Sequence, residues 1–339
     1  MKVGRKIIFE TVVGSRLYGT NSPESDMDFM GIFLPSTEDV LGLENPPTEW
    51  SKDEKISTGA RNIAGDVDRK YYSLKRYLSL LAEGQSIQLE MLFSPRQMWL
   101  TPGRPMRCPW STIIQNRELF VSKGSIMPFI GFAKAQAYKA TVKGENLKIL
   151  REIIHRMTLN FEKEPSSRHL PISDYISSIY RDQCTFLDYP HVKHIESETR
   201  PGVTMSHIEI AGRKFEFTQK AKDVYNKLIK LEERYGTRSE AAAESGYDYK
   251  SIMHAYRLLF EAKMLLTEGK LILPLPIDTV NFLKTIRAGE YKADFFIEIE
   301  EQLTEIRELK EKSSLQESVD RGKINELCHV LMHEHLLGI

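Results

Sequence analysis

Two short elements carry the chemistry. One is Gly14-Ser15-Arg16. The other is Asp26-Met27-Asp28, with ten residues between Ser15 and Asp26. Both sit beside β-rich runs, Ile7 to Val13 before and Met27 to Leu34 after. A strand that ends in Gly-Ser lets the backbone come close to a ligand. The N–H groups of the turn that follows, with the Ser15 hydroxyl and Arg16, can then hold an anion such as a triphosphate. Side chains alternate along a strand, so Asp26 and Asp28 are expected on one face, with Met27 and Phe29 on the other. Two neighbouring carboxylates repel unless a cation lies between them. Oxygen ligands of this kind suit Mg²⁺ or Mn²⁺. An anion cradle beside such a pair is equipment for nucleotidyl or phosphoryl transfer. Two ions would serve it, one lowering the pKa of an attacking hydroxyl and the other neutralising the leaving pyrophosphate. Asp-x-Asp alone is most often a solvated strand edge or turn, and a lone Gly-Ser carries no information; the combination is what points to a site.

This chemistry calls for a third carboxylate on a neighbouring strand. Asp66 and Asp68 share a face if Ile63–Asp68 is extended, and Glu90 is a weaker choice that also reads as a packing residue. The elements expected to position these groups are strands at Ile7–Val13, Met27–Leu34 and Ile63–Val67, with Pro35 closing the second. Residues 44–62, polar and containing Pro46-Pro47, read as a long loop. A helix is expected from about Tyr71, with Leu74, Leu78 and Leu81 on one stripe and Gly84 at its end. It would place Lys75 and Arg76 one turn after Asp68, within reach of a triphosphate. A second helix is expected over Ser86–Phe93, stopped by Pro95.

The segment Thr101-Pro102-Gly103-Arg104-Pro105-Met106-Arg107-Cys108-Pro109-Trp110 reads as a domain boundary. We expect a catalytic domain over 1–105, a helical middle domain over 106–205 and a hairpin plus helical domain over 206–339. The hairpin is expected at His207–Ile210 and Lys214–Phe217, turning at Ala211-Gly212-Arg213. Lys250, His254 and Arg257, spaced by four and three, share one helix face. They suit binding of a triphosphate, a base or an acceptor phosphate, and equally a salt-bridge face between helices. Between Lys123 and Arg156 there are seven basic residues and two acidic ones, which suits either a solvated helix or a basic groove for a polyanion. His191, His194 and Cys184, and the run His333-Glu334-His335, do not supply four ligands at zinc spacing.

The Gly-Ser to Asp-x-Asp pattern resembles the signature of the DNA polymerase beta-type nucleotidyltransferase superfamily. Within it, Asp68, five residues, Leu74-Lys75-Arg76, then Glu90-Met91-Leu92-Phe93-Ser94-Pro95 is similar to the predicted RNA-repair-pathway branch. The likeness continues through Gly246–Leu259, Glu268–Pro276 and Ile286–Glu290, with Gly212–Phe217 similar to a phage-encoded branch. The resemblance implies an α+β fold: a polymerase-beta-like core, a small mixed sheet with helices, followed by mostly helical carboxyl-terminal domains. It implies Asp26, Asp28 and Asp68 as catalytic metal ligands, with Asp68 preferred over Asp66. It also implies transfer of NMP from an NTP to a hydroxyl.

The resemblance and the basic stretch favour an RNA end as acceptor, as in RNA repair or tRNA processing; the alternatives are AMP transfer to a protein or small molecule and a non-catalytic binding role, the last disfavoured by the intact aspartates. Lys+Arg and Asp+Glu are each 47, so the net charge is zero and a chain-wide polyanion coat is excluded. Three widely spaced cysteines offer no disulfide framework and suit a reducing compartment. No apolar run approaches the roughly 18 residues that span a membrane. The amino-terminal stretch reads as a first strand rather than a signal peptide, and a soluble cytoplasmic protein is the expectation. No glycine-rich Walker loop or dinucleotide fingerprint is present.

Overall fold

The computed structural model describes residues 5–23, 25–54, 67–100, 108–180, 192–200, 203–210, 213–234 and 247–338. The fold is α+β. Strands β1 (Lys6–Val13), β2 (Met27–Leu34), β3 (Glu49–Glu54) and β4 (Val67–Ser73) form one sheet in the order β1-β2-β4-β3. The central pair β2–β4 is parallel, and the outer strands pair antiparallel to it. Ile8, Phe9, Val13, Phe29, Ile32 and Phe33 are buried, which explains why β-branched and aromatic residues dominate β1 and β2. Gly31 is required where it stands. A Cβ there would lie 2.6 Å from the Tyr71 ring and 2.7 Å from the Phe9 carbonyl.

Two local expectations change. Tyr71, Tyr72 and Ser73 belong to β4, not to a helix, because they pair with Gly31, Ile32 and Phe33. Ser73 then caps helix α3 (Leu74–Ala82), whose Leu74, Tyr77, Leu78 and Leu81 are buried. Part of the expected 44–62 loop is the edge strand β3. Its sequence, Glu-Trp-Ser-Lys-Asp-Glu, lacks apolar alternation, yet Trp50 stacks on Tyr71 with ring centroids 4.4 Å apart. Residues Ile63 to Asp66, including Asp66 itself, lie outside the described residues. Helix α4 (Ser86–Leu92) matches the expected element before Pro95.

The chain packs as two compact units, Met1–Gln136 with Met253–Ile339, and Ala137–Ile252. This division differs from the expected breaks at 105 and 205. Trp110, the last residue of the proline-rich segment, lies in α5 (Pro109–Gln115) and stacks on Phe9 of β1 at 3.6 Å between ring centroids. The distant end of the chain also joins the first unit. The Nε2 atom of His335, in the helix Arg321–Leu337, lies 2.8 Å from the Pro35 carbonyl oxygen, and Leu275 N–H donates to Tyr18 O at 3.2 Å. Two long helices, Met127–Lys163 and Tyr249–Glu268, run through the boundaries.

In the second unit, Leu150, Ile153, Met157, Tyr175, Ile208, Val224 and Leu228 form one core. The expected hairpin is there as β6 (Val203–Ile210) and β7 (Arg213–Glu216), joined by β5 (Val192–Arg200), which pairs with β6. Residues 211 and 212 of its turn lie outside the described residues. Among the described residues no helix is long and apolar enough to cross a membrane.

Candidate active site

Strand β1 ends at Val13, and Gly14 turns the chain at φ 69°, ψ −148°, a conformation essentially reserved for glycine. A single helical turn follows, α1 (Ser15–Tyr18), closed by the Tyr18 N–H to Gly14 O bond of 3.2 Å. The first N–H groups of such a turn have no acceptor within it. Gly14 is also required by space, because a Cβ would lie 3.0 Å from Asp28 Oδ2. The Gly-Ser turn and the aspartate of β2 are therefore in contact.

Asp28 pairs directly with Asp68 across the parallel β2–β4 ladder. Both carboxylates leave the sheet on one face. Gly14, Asp28 and Asp68 line a cavity of about 460 Å³, together with Arg69 and Lys70 of β4 and Glu90 of α4. The Arg69 guanidinium lies 4.8 Å from the Phe29 ring centroid and bonds Glu10 Oε1 at 3.1 Å. Lys70 Nζ pairs with Glu49 at 2.9 Å. The cavity thus sets Asp28 and Asp68 beside Lys70, which shares their face of the sheet, whereas the Arg69 guanidinium lies with Phe29 on the other face.

Behind Tyr18 and Glu90 lies a buried ionic network. The Tyr18 hydroxyl donates to Glu90 Oε2 at 2.5 Å. Arg257 donates to Glu90 Oε1 at 2.7 Å and to both oxygens of Glu261 at 2.7 and 2.8 Å. Its guanidinium carbon lies 3.9 Å from the Tyr18 ring centroid. Burial pushes the Glu261 carboxyl up to about 8 against the opposing pull of Arg257, and burial also drives the Tyr18 phenol well above its ordinary value. The network ties the Tyr249–Glu268 helix to the Gly-Ser turn and to α4.

A family model described as "RNA repair pathway DNA polymerase beta family" matches residues 2–331. The chain belongs to that family. The description points to a polymerase-beta-like nucleotidyltransferase of an RNA repair pathway. A relative from Enterobacteria phage T4 is 27% identical over 329 residues, covering 93% of this chain and 94% of the phage protein. It is described as an uncharacterized 38.9 kDa protein in the nrdC-mobD intergenic region. No solved structure matches the chain.

This polymerase-beta-family cavity unites Gly14, Asp28 and Asp68 but not every residue expected in it. Asp26 lies one residue ahead of β2 and is not among the described residues that line the cavity. Arg16 holds that approach, bonding the Ser25 and Asp26 carbonyls at 3.0 and 3.3 Å. Ser15 is half-buried in α1. Among the described residues no three His, Cys, Asp or Glu side chains are grouped to hold one metal ion. The structure pairs Asp28 with Asp68 directly across the β2–β4 ladder. Two facing carboxylates still fit Mg²⁺ or Mn²⁺, since Mg²⁺ usually takes one or two protein carboxylates and fills its other positions with water and substrate phosphate.

Lys75 and Arg76 are exposed on the first turn of α3, and Lys250 and His254 are half-buried on the Tyr249–Glu268 helix. None of the four is among the described residues lining the cavity. Arg257 is committed to Glu90 and Glu261, as a salt-bridge face would be. In the basic stretch, Lys123 pairs with Glu317, Arg151 with Glu232 and Arg156 with Glu152. His194 is exposed and stacks on Phe217, while Cys184 and His191 lie outside the described residues. Lys70, on the same face of β4 as Asp68, was not anticipated. The signal was adjacency to Asp68, readable once Val67–Ser73 is recognised as one continuous strand.

Proposed function

We propose that this chain moves a nucleoside monophosphate from an NTP to a hydroxyl at an RNA end. The observation that carries the reading is the direct pairing of Asp28 with Asp68 at a cavity reached by the Gly14 turn. In this reading the acceptor hydroxyl attacks the α-phosphorus in line, the bond to the bridging oxygen breaks, and pyrophosphate leaves. Asp28 and Asp68 would hold a divalent ion. Bound Mg²⁺ or Mn²⁺ would supply Lewis-acid stabilisation of the phosphoryl oxygens and a lower hydroxyl pKa. Asp68 accepts the proton of the attacking hydroxyl. Ser15, with the N–H groups of α1, holds the β- and γ-phosphates, and Lys70 offsets the charge that gathers on the leaving group. Gly14 keeps the turn close to Asp28, so the phosphates and the carboxylates share one small volume.

The RNA acceptor rests on the family's description. It is tested by incubating the protein with each α-labelled NTP, Mg²⁺ or Mn²⁺, and total cellular RNA and protein. The expected result is label in RNA, lost with Asp28→Asn. Label on protein or small molecules, with none on RNA, would overturn the acceptor. No transfer from any NTP to anything would overturn the reaction.

A further inference from the structure

A second cavity of about 460 Å³ lies just past the carboxyl end of α4, within the same compact unit. Its walls carry Phe93, Arg96, Trp99 and Arg117. The Arg96 guanidinium sits 5.7 Å from the Trp99 ring centroid, and that of Arg117 sits 5.7 Å from the Phe93 ring centroid. Two cation–ring pairs therefore face one concavity, and both arginines are exposed. No carboxylate is among the described residues that line it, and neither guanidinium meets a carboxylate among the described residues. This departs from the rest of the protein, whose charges balance overall and whose other arginines so often end in ion pairs.

The cavity is also firmly built. Trp99 Nε1 donates to the Ser94 carbonyl at 3.0 Å and to its hydroxyl at 3.1 Å. The Trp99 ring meets Phe9 edge-on at 5.5 Å and Trp110 at 6.1 Å between ring centroids. An isolated bridge pairs Trp99 with Thr11 of β1. The ring that supports Arg96 is thus held by the same strand that ends at the Gly14 turn.

We propose that this second cavity is a base-binding subsite for the single-stranded RNA acceptor, with Arg96 and Arg117 stacking an unpaired base and contacting its flanking phosphates. The proposal rests on the RNA-acceptor reading above and deepens it. A planar guanidinium laid over a ring presents its outer face to a further planar group, and unpaired bases are held on such faces. The same guanidinium keeps N–H donors at its edge for phosphate oxygens. An acidic peptide would satisfy the charge but has no flat group for the stacked pairs. The volume lies within the range of small-molecule sites and accommodates a nucleotide. The position is suitable too. Ile87 and Glu90 of α4 line the first cavity, whereas Leu92 and Phe93 line the second. Ile87 and Phe93 are about 9 Å apart along a helical rise. A strand anchored in the second cavity thus lies one short helix from Asp28 and Asp68.

The test measures anisotropy of a 5′-labelled single-stranded oligoribonucleotide against the full chain over a salt series, and NTP binding separately. For Arg96→Ala/Arg117→Ala we expect RNA affinity to fall about tenfold. The salt slope should shrink by about 1.4, at about 0.7 for each phosphate contact removed. NTP affinity and melting temperature should stay as in the wild type, because both side chains are exposed. Arg96→Lys/Arg117→Lys should keep the salt slope while losing affinity, because charge remains and the stacking plane does not. RNA affinity and slope unchanged in the alanine pair would overturn the subsite while leaving the acceptor reading in place. That same result is expected if the arginines serve an acidic protein partner instead. Wild-type protein that binds no oligoribonucleotide would overturn both.

Discussion

Asp28 of β2 and Asp68 of β4 are direct partners in a parallel pair, far apart in the chain and side by side in the sheet. That relationship makes the first prediction. Asp28→Asn and Asp68→Asn should each lower NMP transfer about a hundredfold or more, as expected when a group that stabilises charge in the transition state is removed. Both side chains are half-buried rather than core, so circular dichroism and the urea midpoint should remain near wild type. In the absence of nucleotide, Mn²⁺ affinity should fall further for Asp28→Asn than for Asp26→Asn, because Asp28 alone stands opposite Asp68. Equal Mn²⁺ affinity in all three variants and the wild type would rule out the carboxylate pair as the ion's holder.

Gly14 tests the link between backbone and site. Gly14→Ala places a Cβ 3.0 Å from Asp28 Oδ2 on a backbone at φ 69°. The expected cost is about 1–3 kcal/mol of stability. Transfer activity should drop by more than that loss of folded protein accounts for, since the Asp28 carboxylate must shift. Chemical denaturation and single-turnover kinetics on the same preparation separate the two effects. A Gly14→Ala protein with wild-type turnover would refute the contact's role.

The buried network predicts a strong stability effect away from the carboxylate pair. Arg257→Met leaves Glu90 buried without its cation and Glu261 without its hydrogen-bond donor. Breaking a buried pair in this way typically costs about 3–5 kcal/mol. Urea unfolding should show a loss of that order. Arg257→Lys should recover only part of it, because an ammonium restores the charge but not the planar guanidinium held 3.9 Å from the Tyr18 ring centroid. A loss below about 1 kcal/mol for the Met variant, typical of an exposed pair, would contradict the network.

Glu261 makes stability depend on pH in a particular direction. Its carboxyl is held at about 8 in the folded chain by burial, against 4.5 for the ordinary group. The folded state therefore binds a proton that the unfolded state has lost between these values. The associated stability is fully present below about 4.5 and is lost as pH rises through about 8. Unfolding midpoints of the wild type should decline across this window relative to Glu261→Gln, whose profile lacks this contribution. Parallel profiles for the two proteins would show that Glu261 titrates normally.

Much of the site was readable from residue types and spacing. The strand before Gly14, the strand after Asp26, and the choice of Gly14, Ser15 and Asp28 follow from local rules. A β-rich run that stops at Gly-Ser and resumes at Asp-x-Asp needs no distant partner to be recognised. Residue types leave Asp66 and Asp68 as alternatives, the resemblance prefers Asp68, and its adjacency to Asp28 is visible only through strand pairing. Glu90 shows the limit most clearly. As a glutamate in a short helix it reads as surface or packing, yet it is fully buried and bonded to Tyr18 and Arg257.

The sequence alone determined the chemical vocabulary of this protein: carboxylates beside an anion-binding turn, in an α+β chain without a membrane-spanning run. Tertiary structure decided which members of that vocabulary meet. It set Asp28 opposite Asp68, spent Arg257 on buried carboxylates, and brought Lys70 to the cavity wall. It also packed Trp110 onto Phe9 of the first strand and brought His335 of the last helix to the Pro35 carbonyl. The reason is that periodicity and capping report interactions within a few residues of chain. Sheet register and burial of distant charges are set by which surfaces exclude water together, and no local pattern contains that choice.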